Sequence, residues 1–413
     1  MYEVISLNIV GIIAEYNPFH NGHKLHLQKS KLETNSEFSI VVMSGNFVQR
    51  GEPAIVDKYL RTKFALLNGA DIVIEIPVFC ATASAEFFAL SAVSLLDSTN
   101  MVSSICFGSE NGDISTLREI ANTLSYETED FKINLKSQLK SGISYPTARL
   151  NSLKALNPES EPEKILVNPN NILAIEYLKA LNKINSNIEP FTIKRKVAEY
   201  HSTEITCEIA SATAIRKSTA SKDFELIRMA IPDNTFGLYY DSTFSSFNNL
   251  SQILQYILKI TDKNSLNEIL DITEGLENRI LRFSSKYFYI EDIISHVKTK
   301  RYTFTKLQRV ILHIILNIRV NEFNLLNKYN FAPYLRVLGF KKESSFLLNE
   351  LKLNASVPLV TNMKNAHTVL NDEQLLFLRK EVETTDIYNL SKGIYNNTVV
   401  QKDFEYSVPL VIV

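Results

Sequence analysis

The chain has 413 residues, 45% hydrophobic and 22% charged, with a formal net charge of −1. This excludes a disordered chain, and the length exceeds what one compact core supports, so two or three domains are expected. Three scattered cysteines, Cys80, Cys106 and Cys207, have no CxxC spacing; they argue against a disulfide framework or zinc ribbon and for reduced, buried thiols.

The alternation of elements starts at the N-terminus. Ile5 to Ala14 is Ile/Val-rich with few polar residues, the pattern of a buried parallel strand. A helix is expected from His23 to Thr34, a second strand from Phe38 to Met43 and a helix from Asp57 to Asn68. Asp71 to Ile76 reads as a third strand, Ala83 to Asp97 as a helix, and Ser104 to Phe107 as a fourth strand ending at Gly108. Helical patterns follow through Leu156 and from Asn171 to Leu181, then a fifth strand from Phe191 to Lys194. Such alternation predicts an α/β fold, a doubly wound parallel sheet of Rossmann type.

From about Ala212 the period becomes helical. Ala220–Arg228, Leu250–Ile260, Leu266–Leu281, Ile290–Thr299, Thr305–Asn317 and Ser344–Leu353 are the expected helices. The tail from Thr398 has few helix signals and is placed as returning to the body. The expected division is 1–218 for the α/β domain and 219–413 for a mostly α-helical one. Between Asn278 and Lys342 stand thirteen Lys/Arg against three Asp/Glu. A local excess of that size is the footprint of a polyanion surface, or else a solvated face paired elsewhere. MYEVISLNIVGII lacks a basic leader, and no apolar run reaches the ~18 residues of a membrane span. A cytoplasmic protein is expected.

Chemistry concentrates at the end of the first strand, where ligands of an open parallel sheet bind. There HNGH, residues 20–23, leads into a helix, and three of the seven histidines (His20, His23, His26) fall together. Gly22 permits close backbone approach, and a helix start attracts anions. Two histidines on that first turn can donate to one phosphate. A metal site is the alternative, without HExxH or an evident carboxylate ligand; a surface turn is another. Neither GxxxxGK[ST] nor GxGxxG occurs. After the fifth strand comes SATAIR, residues 211–216. Ser211 can cap the helix that follows, while Ser211, Thr213 and Arg216 can hold phosphate oxygens. A plain capped helix with exposed basic residues reads the same segment without a ligand.

Paired in this order, HxGH and SxTxxR resemble the nucleotidylyltransferase superfamily, which shares its fold with class I aminoacyl-tRNA synthetases. Ala212 replaces the second serine of the usual pattern. Longer strings are similar to one bacterial family, the tRNA(Met) cytidine acetate ligases: GIIAEYNPFHNGH, VVMSGNFVQRGEPAIVDKYLRT, GADIVIEIP, CFGSENGD, NPNNILAIEYLKAL, IKRKVAEYH, IASATAIR and, more thinly, KRYTFTKLQRVILHIIL. The resemblance implies activation of acetate by ATP to acetyl-adenylate. The acetyl group then passes to N4 of the wobble cytidine of elongator tRNA(Met). Implied for ATP are Ile13, Ala14, Glu15, Tyr16, Asn17, Pro18, Phe19, His20, Asn21, Gly22, His23, Lys24, Leu25 and His26, with Gly108, Asn171, Arg195, Ser211, Thr213 and Arg216. His20, His23 and Arg216 are the expected catalytic residues, and His26 is peripheral. Val197–His201 departs from a more usual Gly-containing form. Mg²⁺ is expected to bridge phosphate oxygens, with no dedicated protein metal site. Lys298, Lys300, Arg301, Lys306 and Arg309 are the expected tRNA contacts, and Tyr287, Phe288, Tyr289, Tyr302 and Phe304 are candidates for base stacking. A nucleotidylyltransferase acting on a small cofactor precursor would share both motifs.

Overall fold

The computed structural model describes residues 7–143, 145–156, 161–195, 210–273, 275–299, 301–396 and 399–413. Lys300, Val197–His201, Cys207, Glu208 and Ile209 lie outside these residues. Five strands run parallel: β1 (Ile9–Ala14), β2 (Phe38–Ser44), β3 (Ile72–Ile76), β4 (Ser104–Ser109) and β5 (Glu189–Lys194). Their order, 3-2-1-4-5, reverses direction at β1. Each coincides with a predicted strand. β1 to β4 are largely buried, as parallel strands covered by helices must be, whereas the edge strand β5 is half-buried.

Helices α1 (Asn21–Glu33), α2 (Lys58–Leu67), α3 (Ala85–Asp97), α4 (Pro169–Ile184) and α5 (Ala212–Ala220) connect or flank these strands. Capping fixes their starts: Asp57 Oδ1 accepts from the Leu60 N–H at 2.9 Å, and Ser211 Oγ from the Ala214 N–H at 3.0 Å. Ser211 is thus the predicted cap.

Helices dominate beyond residue 219, and three strands that were not predicted join them there. β6 (Leu335–Phe340) lies antiparallel to β3 and extends the sheet. β7 (Leu359–Val360) and the C-terminal β8 (Val411–Ile412) pair parallel to β6, completing eight strands. The tail therefore does return. One hydrophobic core contains Ile74 and Phe79 from the first part with Leu335, Phe377 and Tyr388 from the second. Predicted helix Leu266–Leu281 is two helices, Lys263–Asn267 and Leu276–Ser284. Asp271 (φ +69°) and Gly275 (φ +79°) turn the chain between them.

The two parts also meet in a sealed ionic cluster. Lys58 Nζ lies 2.6 Å from Glu75 Oε1, and Arg336 is 2.7 Å from both Glu75 Oε2 and Glu405 Oε2. Lys58 pairs with Glu405 as well. Nearby, Glu381 accepts the Val78 N–H at 2.6 Å, and burial pushes its pKa up to about 8. Opposite charges in direct contact are what makes such burial tolerable.

Helix α6 (Phe304–Leu316), which carries part of the basic segment, packs on a small antiparallel ribbon, Phe47–Val48 with Glu52–Pro53. The ribbon's turn glycine, Gly51 (φ +82°), sits so close that an added Cβ would lie 2.4 Å from the Arg309 backbone nitrogen. Among the described residues no helix is long and apolar enough to cross a membrane.

Candidate active site

β1 has β2 on one side and β4 on the other, so the sheet's switch point opens a crevice beyond Ala14 and Ser109. The loop leaving β1 is unusual. Tyr16 adopts a left-handed conformation (φ 50°), the Asn17–Pro18 peptide is cis, and the Tyr16 ring packs edge-on against Phe19 (4.8 Å) and His23 (4.9 Å). Left-handed non-glycine residues concentrate at functional sites.

His20 is the N-cap of α1. Its Nδ1 accepts the Gly22 N–H at 3.1 Å, and its own N–H donates to His23 Nδ1 at 3.3 Å. The rings stack with centroids 3.7 Å apart. A backbone N–H can only donate, so both Nδ1 atoms are unprotonated and both rings carry their proton on Nε2. The structure revises one expectation here. The Gly22 N–H goes to His20 Nδ1 and those of His23 and Lys24 go to the His20 carbonyl. Two imidazole Nε2–H groups are thus left as donors there in place of these N–H groups. Burial, with Arg195 and Arg216 nearby, holds the His20 pKa down at about 3. Burial and the adjoining His20 depress His23 in the same direction. Both rings are neutral donors at physiological pH. His26, one turn on, has Nε2 sealed without a hydrogen-bond partner among the described residues, and burial lowers its pKa to about 4.

The second motif arrives from α5. Arg216 Nη1 donates to the Asn17 carbonyl at 2.8 Å, and Nη2 lies 3.3 Å from Thr213 Oγ1 and 3.6 Å from Glu52. Motifs nearly 200 residues apart are thereby joined by one guanidinium, with the Ser211 and Thr213 hydroxyls at the same helix start. Behind the loop, Arg61 is fully buried. It donates to the carbonyls of Val56 (3.0 Å), Glu15 (2.6 Å), Ser44 (3.0 Å) and Gly45. Glu15 Oε1 accepts the Gln49 N–H of the ribbon at 2.8 Å. Gln49, Glu52 and Arg61 were given no role from the sequence, although they lie within the family-like string VVMSGNFVQRGEPAIVDKYLRT; Arg61 looks like any helical arginine.

On the other side of the crevice, the Arg195 side chain covers Gly108, where a Cβ would meet Arg195 Cγ at 3.1 Å. Arg195 also reaches Asn170 at 3.5 Å. The buried Asn171 holds the loop after β4: its Oδ1 accepts the N–H groups of Glu110 (2.9 Å) and Asn111 (3.0 Å). With Glu110, Glu161 and Lys164 it borders a cavity of about 310 Å³.

Of the expected tRNA contacts, Lys298 and Arg301 are exposed and Lys306 half-buried. Arg301 and Lys306 both lie over the buried Tyr302 ring, 5.9 and 5.6 Å from its centroid. Arg309 points inward, 3.9 Å from Asp271, its side chain 14% exposed. Among the aromatics, Phe288 (52%) and Tyr289 (54%) stand exposed, whereas Tyr287 stacks on His296 at 3.9 Å. Cys80 and Cys106 are free, buried thiols.

An open parallel sheet with a neutral histidine pair and an arginine–hydroxyl cluster at its switch point defines an HxGH-type nucleotidylyl-transfer fold. Residues 7–403 match the family described as HIGH Nucleotidyl Transferase. A tRNA(Met) cytidine acetate ligase of Thermoanaerobacter sp. (strain X514) is 44% identical over 96% of this chain and 98% of its own. The enzyme of that name from Clostridium perfringens (strain SM101 / Type A) is 41% identical over 98% and 100%. A crystal structure of Thermotoga maritima TmcAL bound with alpha-thio ATP superposes with a TM-score of 0.89 at 31% identity, covering 98% of this chain and 100% of that one. The chain belongs to the HIGH nucleotidyl transferases and, within them, to the tRNA(Met) cytidine acetate ligase family.

Proposed function

We propose that this protein is an ATP-dependent ligase that adenylates acetate and acetylates N4 of the wobble cytidine of elongator tRNA(Met). The observation that carries it is the Arg216–Asn17 hydrogen bond, which closes the two phosphate motifs around one crevice. Acetate attacks the α-phosphorus in line, and the bond to pyrophosphate breaks. No covalent enzyme nucleophile is needed; the enzyme positions and stabilises charge. The Nε2–H groups of His20 and His23 donate to phosphoryl oxygens as negative charge moves toward pyrophosphate. Arg216, Ser211 and Thr213 hold the leaving pyrophosphate, and Lys24 adds charge at the start of α1. Gly108 and Arg195 flank the adenosine, while Asn171 acts there through the Glu110–Asn111 loop that it holds.

Mg²⁺ accompanies the triphosphate. Among the described residues no group of three or more His, Cys, Asp or Glu side chains is arranged to ligate a metal; such an ion would be brought by the triphosphate and would offset its negative charge. Lys298, Arg301 and Lys306 meet tRNA phosphates, and Phe288 and Tyr289 offer faces to unstacked bases. Arg309, turned to Asp271, supports α6 instead. The protein works in the cytoplasm.

The test is incubation with labelled acetate, ATP and tRNA(Met), followed by nucleoside analysis. Label in N4-acetylcytidine is expected, and the His23→Ala variant should lose it. Label in a mononucleotide but never in RNA would exclude the ligase.

A further inference from the structure

The second half-reaction needs a group to take a proton. When N4 attacks the acetyl carbonyl, the nitrogen becomes acidic and must lose a hydrogen. The histidines of the crevice cannot take it, since each accepts a backbone N–H at Nδ1 and already holds a proton on Nε2. The arginines remain protonated, and burial pushes the Tyr16 phenol well above its ordinary range.

Among the described carboxylates of the crevice, Glu52 faces Arg216 at 3.6 Å and Glu110 is bound through both oxygens by Asn170 and Asn171; the remaining one is Glu15, the first residue beyond β1 and five before His20. Its Oε1 is fixed by the Gln49 N–H at 2.8 Å, while Oε2 accepts no hydrogen bond among the described residues. The residue is half-buried. Around it stand Arg50 and Glu52 of the ribbon, Arg216 of α5 and Tyr177 of α4; Arg61 of α2 holds its main-chain carbonyl. Burial raises its pKa above the ordinary carboxylate value and outweighs the nearby Arg50 and Arg216. Such a carboxylate is a stronger base than an exposed one.

We propose that Glu15 is the general base of acetyl transfer, a role that rests on the ligase reading above. As the C–N bond forms, the N4 proton passes to Glu15 Oε2. The C–O bond to the phosphate breaks, and AMP leaves with that electron pair.

The test separates the half-reactions in Glu15→Gln, whose amide oxygen still accepts the Gln49 N–H. Acetate-dependent ATP–pyrophosphate exchange reports adenylation, and single-turnover acetylation of tRNA(Met) reports transfer. Transfer should fall by about 10²-fold or more, as for loss of a general base, and much further than exchange. Wild-type transfer should slow as pH falls through the Glu15 ionisation, and the variant's profile should be flat there. Equal losses in both half-reactions would overturn the proposal and leave Glu15 an anchor of the ribbon. An unaltered transfer rate and pH profile would overturn it too. If the wild type exchanged pyrophosphate yet never acetylated tRNA, the ligase reading would fall first, and this role with it.

Discussion

Replacing Gly51 with alanine should damage the enzyme more than the same change at another glycine with the same φ. Gly51 and Gly142 share φ +82°, but an added Cβ at Gly142 meets nothing within 4 Å. At Gly51 it would lie 2.4 Å from the Arg309 nitrogen and 2.7 Å from Arg309 Cα and Gln308 C. These are helix backbone atoms that cannot rotate away. Gly142→Ala should therefore cost only the left-handed strain, ~1–2 kcal/mol. Gly51→Ala adds an overpacking cost of ~1–3 kcal/mol, for a total of about 2–5 kcal/mol. At roughly 2 °C per kcal/mol for a protein of this size, its midpoint should drop by several degrees more than that of Gly142→Ala. Thermal unfolding followed by circular dichroism measures both. Acetylation of tRNA(Met) should fall only in Gly51→Ala, because the same ribbon supplies the Gln49 N–H to Glu15. Equal melting of the two variants would refute a tight contact between ribbon and α6.

Arg216→Lys loses the planar fork that spans Asn17, Thr213 and Glu52. By analogy with removing one oxyanion donor, kcat for pyrophosphate release should fall by ~10²–10³-fold, with a smaller change in ATP KM. Acid should also destabilise the fold through His20. Its folded pKa of about 3 lies below the ordinary value of 6.5. Between those values the unfolded chain binds the extra proton, so stability falls as pH drops from about 6.5 toward 3 and is unaffected above it. Urea titrations at several pH values should show a shallower decline for His20→Asn than for the wild type. An identical decline would mean that His20 is not held neutral in the fold.

β1, β2 and β3 were legible because burial on both faces leaves runs rich in β-branched residues. The candidate site was legible because HNGH follows the end of β1 and SATAIR opens a helix with a capping serine. β6 was not: Leu335–Phe340 contains Arg336, which reads as a surface residue until Glu75 and Glu405 are placed beside it. α7 (Asp372–Asn396) escaped for a similar reason. Its buried face includes Lys380, Glu381, Thr384 and Thr385, so its apolar period is weak. The break within Leu266–Leu281 was hidden because both shorter helices bury leucines at compatible spacing. Long-range pairing of charge, and turns fixed by tertiary contact, leave no periodic trace.

Arg61 joins these threads, since it is invisible as a motif and yet holds the motif's loop. Four carbonyls converge on one guanidinium: Val56, Glu15, Ser44 and Gly45. They belong to the loops leaving β1 and β2 and to the start of α2, so the walls of the crevice are tied to one buried cation. Arg61→Lys keeps the charge but brings at most three donors from a single atom, without the planar spread. At least one carbonyl is left buried and unpaired, at ~1–3 kcal/mol each. The variant should therefore lose a few kcal/mol in denaturant melts, and its ATP-dependent rate should fall because the loop carrying Glu15, His20 and His23 is no longer fixed. A lysine variant with wild-type stability and exchange rate would show that the loop is held by Arg216 and the Tyr16–Phe19–His23 packing alone.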